Sequence, residues 1–168
     1  AEPDMIAITG DIIDSRNTDI EIALQFAEEA VKIAPCYYVT GNHEFWSEDI
    51  ENILEIIQSY GVTVLSGEIV TVDIKGQKVN LSGVDDPDGS FYGGRNTGIL
   101  KQLGQIEEQR NKDLYNILLS HRPEYYEQYS RYQYDLTLCG HAHGGQWRIP
   151  GILNGLFAPN QGLFPRYA

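Results

Sequence analysis

The stretch that decides the fold is residues 5–14, MIAITGDIID, in which a short apolar run stops at a glycine and an aspartate. A run of this kind is typical of a buried strand. Asp19 can cap a following helix over about residues 20–34, where apolar residues recur on one face. The run CYYVT at 36–40 predicts the next strand, and a second helix follows at about 48–60. The order strand, helix, strand, helix predicts a parallel sheet covered by helices.

The middle of the chain is richer in β-branched residues, and tight turns such as IKGQK separate the runs. Three runs predict a meander: VTVL (62–65), EIVTVDI (68–74) and QKVNLSGV (77–84). The glycine-rich, acidic stretch at 85–98 predicts a surface loop, or a lid that faces the substrate. An EF-hand does not fit there, because Phe91 stands where its loop needs glycine. We expect a helix over about 97–110 and then buried strands at 114–120 and 134–139, which completes one α/β domain.

The composition is that of a folded protein with an acidic surface. The chain has 168 residues, enough for one domain with a sizeable core. Its 24 acidic and 12 basic residues give a formal charge of −12, which repels phosphate backbones and argues against nucleic-acid binding. No apolar run approaches the ~18 residues of a membrane span, and two cysteines are too few for a disulfide framework. Only local positive charge, such as bound metal ions, would attract an anionic substrate.

Four of the predicted strands end in side chains that can bind metal. All four histidines of the chain belong to this pattern. Open α/β sheets bind ligands beyond the carboxyl ends of their strands, so residues far apart in sequence can meet at one edge. Glycines at 10, 41 and 140 would let the backbone turn sharply there. The strand-end residues are Asp11, Asn42, His43, His121, His141 and His143.

These residue types suit a divalent cation. Neutral imidazole, carboxylate and amide oxygen favour zinc, manganese or iron(II). His141 and His143 would share a face in an extended segment, so that each could serve one of two neighbouring ions. Taken singly, a histidine after a strand can be a hydrogen-bonded core residue, and Asp11, Asp14 and Asn42 can shape turns. The joint pattern favours a metal centre over these structural roles.

Taken in order, the motifs GDIID, GNHE, SH and GHAH resemble the signature of the calcineurin-like metallophosphoesterases. The closing stretch GGQWRIPGILNGLFAPNQGLFPRY is similar to bacterial, often membrane-anchored members that include UDP-diacylglucosamine hydrolases. The resemblance covers essentially the whole chain and implies an α/β fold built as a two-sheet β-sandwich flanked by helices. It also implies a metal-dependent phosphohydrolase that cleaves a phosphoester or pyrophosphate bond.

The resemblance implies a role for each motif residue. Asp11 would bridge two divalent ions, of manganese, iron or zinc, and His143 would serve only the second. His43 would face the scissile phosphate, and Glu44 would orient His43. A metal-held hydroxide would attack phosphorus. The implied metal ligands are Asp11, Asn42, His121, His141 and His143.

One part of the family pattern is missing. A strand ending in D-x-H should precede PDMIAITGDIID, and the chain opens without it and stops soon after FPRYA. We therefore expect residues 1–168 to be an excerpt of a longer protein: a single metallophosphoesterase domain without its first strand and C-terminal end. Since the missing pair supplies half of one metal site, we expect one tightly held ion or none, and little activity. Membrane association would use a segment outside this chain.

The substrate stays open between a phosphate-containing small molecule and a lipid headgroup. Arg122 and Arg148 are candidates for phosphate contact. The tyrosines within 125–134 predict a short helix packed over the sheet, or else an aromatic rim for a nucleobase or acyl chain. The alternative function is a catalytically silent metal-binding module of the same fold, although His43 with Glu44 favours an enzyme. A structural role without metal is a further alternative.

Overall fold

The computed structural model describes residues 2–16, 20–47, 49–92 and 98–167. Its strands are β1 (Ile6–Thr9), β2 (Cys36–Val39), β3 (Thr63–Val64), β4 (Glu68–Ile74), β5 (Gln77–Gly83), β6 (Tyr115–Ser120), β7 (Leu136–Cys139), β8 (Phe157–Ala158) and β9 (Gly162–Leu163). Its helices are α1 (Ile20–Val31), α2 (Asn42–Trp46), α3 (Ile50–Ser59), α4 (Gly89–Tyr92), α5 (Ile99–Gln109) and α6 (Tyr126–Arg131), with 3-10 turns at Pro123–Tyr125 and His143–Gly145.

The strands form two main sheets and a separate hairpin. β1, β2 and β3 make a parallel sheet in that order, with Ile6 opposite Cys36 and Tyr37 opposite Thr63. The second sheet has the order β4-β5-β6-β7, in which β4 is antiparallel to β5 and the other neighbours are parallel. β8 and β9 pair with each other as an antiparallel hairpin. The predicted parallel sheet after the first strand–helix units is therefore confirmed.

Apolar side chains fill three layers between and outside these sheets. Val39 and Leu119 are buried where the first sheet faces the second. Ala27 of α1 and Ile53 of α3 pack on the other face of the first sheet. Leu103 of α5 packs on the outer face of the second sheet. The fold is thus an α/β sandwich of two sheets flanked by helices, as predicted.

The predicted meander is wrong in its first strand. β3 pairs with β2 instead of β4, and the Leu65 N–H continues this pairing by donating to the Tyr38 carbonyl at 2.9 Å. The chain leaves α3 beside the sheet it came from, so the first strand after the helix joins that sheet. β4 and β5 do form a hairpin, turned at Lys75 (φ 54°) and Gly76 (φ 83°). Positive φ at both central residues is what a two-residue hairpin turn requires.

The helices differ from the predictions mainly at their ends. α1 stops at Val31, and α2 was not predicted because it begins inside the GNHE motif. The predicted cap Asp19 and residues 93–97 of the predicted loop lie outside the described residues. The tyrosine-rich segment does contain a short helix, α6, whose Tyr129 is buried against the second sheet. No helix in the described ranges has both the length and the apolar character needed to cross a membrane.

The carboxyl ends of β1, β2, β6 and β7 meet at one edge of the sandwich. The Thr9 carbonyl at the end of β1 accepts a hydrogen bond from Nδ1 of His121, just after β6, at 2.6 Å. The Gly140 N–H, just after β7, donates to the His121 carbonyl at 3.1 Å. The two sheets are therefore joined through His121 at this edge.

Candidate metal centre

Four of the predicted ligands surround one point at this edge. Nε2 of His121 lies 3.1 Å from Asp11 Oδ2, 3.1 Å from Asn42 Oδ1 and 3.1 Å from Nδ1 of His141. One ligand atom each from Asp11, His121 and His141 lie within 4.8 Å of one another. Asn42, His121 and His141 are buried, and Asp11 is partly buried. Residues spread over 130 positions thus converge as the strand-end pattern predicted.

The donor atoms of this cluster fit a divalent cation. A carbonyl oxygen can only accept, so the bond from His121 Nδ1 to Thr9 places the proton of the neutral ring on Nδ1. The lone pair of Nε2 then faces the cluster, as in histidines that ligate metal with one nitrogen and hydrogen-bond a carbonyl with the other. One nitrogen cannot form three directed hydrogen bonds at once, whereas an ion accepts several converging donors. The set of one carboxylate, one amide and two imidazoles suits zinc, manganese or iron(II).

Three glycines let the backbones come this close. A Cβ added at Gly10, which has φ +83°, would lie 2.5 Å from the Gly41 nitrogen and 2.8 Å from His121 Nδ1. A Cβ at Gly140 would lie 2.7 Å from the Thr9 carbonyl oxygen. Contacts below 3.0 Å would force the backbone apart, so a side chain at either position would disturb the meeting of these segments.

Asp11 sits on a loop that Glu44 holds in place. Asp11 itself has φ 54°, a left-handed conformation that costs a non-glycine residue free energy and needs outside support. The Glu44 carboxylate, which is fully buried, accepts backbone N–H bonds from Asp11 (2.9 Å), Ile12 (2.8 Å), Ile13 (3.3 Å) and Gly41 (2.7 Å). Burial raises the pKa of Glu44 in spite of these bonds. Burial also raises the pKa of Asp11, but the contacts with His121 outweigh it and the net shift is downward.

These contacts correct the predicted role of Glu44. Its carboxylate holds the Asp11 loop, and other groups orient the His43 ring. The Ser15 N–H and hydroxyl both lie 3.1 Å from His43 Nδ1, Asp14 Oδ1 lies 3.4 Å from it, and the Trp46 ring packs at 5.1 Å. Because the Ser15 amide can only donate, Nδ1 of the neutral ring accepts and Nε2 carries the proton.

His43 lines the same cavity as the ligand cluster. The cavity is about 540 Å³ and is also lined by Asp11, Asn42, His141 and His143. The backbone N–H of His43 donates to Asp11 Oδ1 at 3.0 Å, which fixes the position of the residue relative to the cluster. A ligand in this cavity could therefore touch both His43 and the cluster.

His143 stands apart from the other predicted ligands. It lines the cavity but is exposed, and it is not among the residues whose ligand atoms cluster within 4.8 Å. The expected extended HAH segment is wrong: His141 (φ 61°) and His143 (φ 50°) are left-handed, and Ala142 between them is helical. The segment turns because the Ala142 and Gly145 amides bond to carbonyls two and three residues back.

Arg122 does not have the free guanidinium that phosphate contact requires. Its side chain is 6% exposed and pairs with Asp86, which contacts both Nε and NH2, and with Asp88 at 3.2 Å. Its NH1 lies 3.2 Å from Nε2 of His141. The prediction of substrate contact is therefore corrected. The Arg122 guanidinium instead contacts the candidate metal ligand His141, on the side of the ring away from His121. Burial and this guanidinium lower the pKa of His141 to about 3, which keeps its ring neutral.

Sequence reasoning missed three residues of the site. Asp86 follows β5, so the strand-end rule could have found it, but the DDPDG run was assigned to a loop. Ser15 had no signal of its own. Asn160, in the turn between β8 and β9, donates to Glu124 Oε1 at 2.9 Å and lies 3.3 Å from Nε2 of His141. Arg148 contacts Asn154 instead and does not line the cavity that contains His43.

The chain belongs to the calcineurin-like phosphoesterase family, whose model matches residues 1–145. It is 31% identical over 153 residues to a transmembrane protein with metallophosphoesterase domain from Bos taurus, covering 86% of this chain and 34% of that protein. It is 26% identical over 163 residues to the phosphodiesterase YaeI of Escherichia coli, covering 94% of this chain and 55% of that protein. The chain thus spans about a third to a half of the relatives it matches.

A solved structure agrees on the fold. The NAD nucleotidase NadN of Haemophilus influenzae superposes with a TM-score of 0.52 over 83% of this chain and 29% of that one, at 16% sequence identity. The predicted superfamily is therefore confirmed by sequence, and the fold by structure.

Proposed function

We propose that this chain is a single metallophosphoesterase domain that hydrolyses a phosphoester or pyrophosphate bond with the help of divalent cations. Asp11, Asn42, His121 and His141 would hold one ion. Asp11 would also reach a second ion, with His143 as a further ligand. The family supports metal-dependent phosphoester hydrolysis in general, and the bond type and ion number are our proposal.

The observation that carries this proposal is the convergence at His121. Three potential ligand atoms lie 3.1 Å from its Nε2, and its other ring nitrogen is bonded to a carbonyl, which leaves Nε2 free to ligate. Buried polar groups that meet in this way need a compensating partner. A divalent cation would satisfy all of them together.

The residues around the cluster would divide the remaining tasks. When bound, the cations would neutralise phosphate charge and lower the pKa of a water molecule toward neutrality. His43 would present its Nε2 proton to the phosphate or to the leaving group, because Ser15 occupies Nδ1. Glu44 would keep Asp11 in its left-handed conformation, and Arg122 would fix the His141 ring.

The test combines metal binding with turnover. Equilibrium dialysis of the metal-free chain against Mn²⁺, Zn²⁺ and Fe²⁺, followed by elemental analysis, should show at least one tightly held ion. Because residues 1–168 are expected to show little activity by themselves, hydrolysis of p-nitrophenyl phosphate, bis-p-nitrophenyl phosphate and pyrophosphate is measured with the natural flanking sequence present. This hydrolysis should depend on that ion. A chain that binds no metal would contradict the proposal, since the cluster would then be a structural hydrogen-bond network.

The H43A variant separates an enzyme from a silent metal-binding module. An enzyme loses turnover on these substrates but keeps its metal content. Metal binding without turnover on any substrate, unchanged in H43A, would favour the silent module.

A further inference from the structure

Trp46 is a large apolar side chain that the fold leaves at the edge of the candidate metal centre. It is 40% exposed, whereas Phe45 beside it in α2 is 1% exposed and belongs to the core. Trp46 lines the cavity that also contains Asp11 and His43. Aromatic side chains are common in the walls of cavities that bind small molecules. The position of Trp46 therefore indicates a role in the cavity in addition to packing.

The short helix α2 brings Trp46 next to two residues of the site. Asn42 and His43 precede Trp46 by four and three residues, so the three side chains lie on one side of the helix. The ring centroids of His43 and Trp46 are 5.1 Å apart, and the ring planes meet at 52°. The two rings thus form a corner in the cavity wall. A group that accepts a hydrogen bond from His43 Nε2 would have its remaining atoms close to the indole.

Asp88 holds the indole in one orientation. The Nε1–H of Trp46 donates to Asp88 Oδ2 at 2.9 Å. The backbone N–H of Asp88 in turn donates to Asp86 Oδ1 at 2.9 Å. Because the N–H is the polar group of an indole and Asp88 already binds it, the ring surface that faces the cavity is apolar. This surface is suited to stacking on another ring.

Arg122 connects this part of the wall to the metal cluster. Its NH2 lies 3.2 Å from Asp88 Oδ2, and its NH1 lies 3.2 Å from Nε2 of His141. The Arg122 side chain is buried, so it cannot swing away from either partner. The orientation of the indole is therefore fixed relative to a candidate metal ligand. Residues that determine specificity need this kind of support, because a loosely held side chain discriminates poorly between ligands.

We propose that Trp46 is a specificity-determining residue whose indole stacks on a flat aromatic ring in the leaving group of the substrate. This inference rests on the proposed function, in which His43 presents a proton to the leaving group. Hydrolysis breaks the bond between phosphorus and the leaving-group oxygen, which takes up the His43 proton while water adds to phosphorus. A ring attached to that oxygen would lie against Trp46. The substrate class is then a phosphoester of an aromatic alcohol, in preference to an ester of a saturated one.

The preference has a physical cause that can be isolated. Two aromatic rings attract each other beyond the effect of the area that they bury, because their faces and edges carry opposite partial charges. A saturated ring of the same size buries a similar area without this attraction. Comparing an aromatic with a saturated ligand of equal size therefore measures the contribution of stacking.

Two phosphonates provide this comparison without any need for catalysis. Benzylphosphonate and cyclohexylmethylphosphonate carry a CH₂ group in place of the ester oxygen, so neither can be hydrolysed. Calorimetric titration of the Zn²⁺-loaded protein, with the natural flanking sequence present, gives the ratio of their dissociation constants. The wild-type protein should bind benzylphosphonate about 3- to 10-fold more tightly. W46L should lower this ratio to about 1, and W46F, which keeps an aromatic ring, should retain most of the preference.

The matched control is F26L, which removes the exposed aromatic ring of Phe26 in α1, outside this cavity. It should keep the wild-type ratio. D88A removes the acceptor of the indole N–H and should lose part of the preference, whereas D88N keeps an acceptor oxygen and should retain it. A ratio near 1 in the wild-type protein, or one that W46L leaves unchanged, would overturn the proposal.

A fluorescence measurement needs no change at Trp46 and so does not depend on the folding of W46L. The chain has two tryptophans, Trp46 and Trp147. The probe is 4-nitrobenzylphosphonate, whose nitro group quenches an indole on contact. Quenching should saturate in W147F, where Trp46 remains, and should be small in W46F, where Trp147 remains. Equal quenching in both variants, or none in either, would overturn the placement of the ring against Trp46.

Methylphosphonate, which has no ring, distinguishes a failure of this inference from a failure of the proposed function. If methylphosphonate binds but the two ring-bearing probes bind equally well, Trp46 has no role in specificity and the metal-dependent site still stands. If no phosphonate binds, the proposed function and this inference are both contradicted. Saturable quenching of Trp46 without turnover of p-nitrophenyl phosphate would support the stacking and contradict the hydrolysis.

Discussion

The two sides of the candidate metal centre are built in different ways. On the inner side Asn42, His121 and His141 are buried and contact one another or Asp11. On the outer side His143 is exposed and His43 is only partly buried. The residues of the inner side are positioned by contacts within the fold, whereas those of the outer side face any ligand that enters the cavity. Under the proposed function, the first cation would be held by the buried residues, whereas His43 on the outer side would face the substrate.

The largest effect is expected when the support of the inner side is removed. We expect E44A to lower the free energy of unfolding by about 3–5 kcal/mol, because four backbone N–H groups, each buried or partly buried, lose their shared acceptor. Urea denaturation monitored by circular dichroism measures this. The control E55A, at an exposed glutamate of α3, should stay within about 0.5 kcal/mol of wild type. A small effect of E44A would mean that the Asp11 loop supports itself.

Removing a central ligand should abolish most metal affinity while the outer side stays intact. We expect H121A to weaken Mn²⁺ binding by more than about 100-fold, the upper range for changes to groups that only support a ligand. Calorimetric titration of the metal-free proteins gives the ratio. The matched variant H143A should retain tight binding of one ion, since His143 lies outside the ligand cluster. Equal losses in the two variants would contradict the division between the two sides.

A smaller effect on metal affinity is expected for Arg122, which lies behind the buried ligand His141. R122Q removes the guanidinium next to His141 Nε2. Because a guanidinium only donates, it keeps the proton of the neutral His141 ring on Nδ1, the nitrogen that faces the cluster, so we expect metal affinity to rise by about tenfold or less. The same change leaves the buried Asp86 unpaired, so stability should fall. The double variant D86N/R122Q should regain part of that stability and keep the higher affinity. Affinity that falls in R122Q and recovers together with stability would show that Arg122 acts only on folding.

The outer side should contribute least to metal binding. H43A should change Mn²⁺ affinity by less than about threefold, because the backbone N–H that contacts Asp11 survives the substitution. Turnover should nevertheless fall by about 10²–10⁴-fold if the ring transfers a proton. The serine variant S15A should lower turnover less than H43A, since the Ser15 amide still contacts the ring. A large loss of Mn²⁺ affinity in H43A would mean that His43 belongs to the inner side of the site.

Strand ends proved to be the most predictable part of the molecule. The pattern of a buried apolar run followed by a polar residue shows where a strand ends. Because such strand ends lie at one edge of the sheet, four residues could be grouped from the sequence: Asp11, Asn42, His121 and His141. The strand that pairs with β3 could not be predicted, because the sequence pattern of a two-residue strand is too short to indicate which sheet it joins. The role of Glu44 was missed for another reason: its partners are backbone amides, which leave no trace in the sequence.

The hydrogen bond between His121 and Thr9 joins the two sheets, because Thr9 ends β1 and His121 directly follows β6. An ion bound by both Asp11 and His121 would cross-link the two sheets. Its binding free energy would then add to the free energy of unfolding. Each tenfold rise in free ion above saturation should then add about 1.4 kcal/mol to the resistance of the protein to unfolding. Melting curves recorded at several ion concentrations would therefore report how tightly the ion is bound.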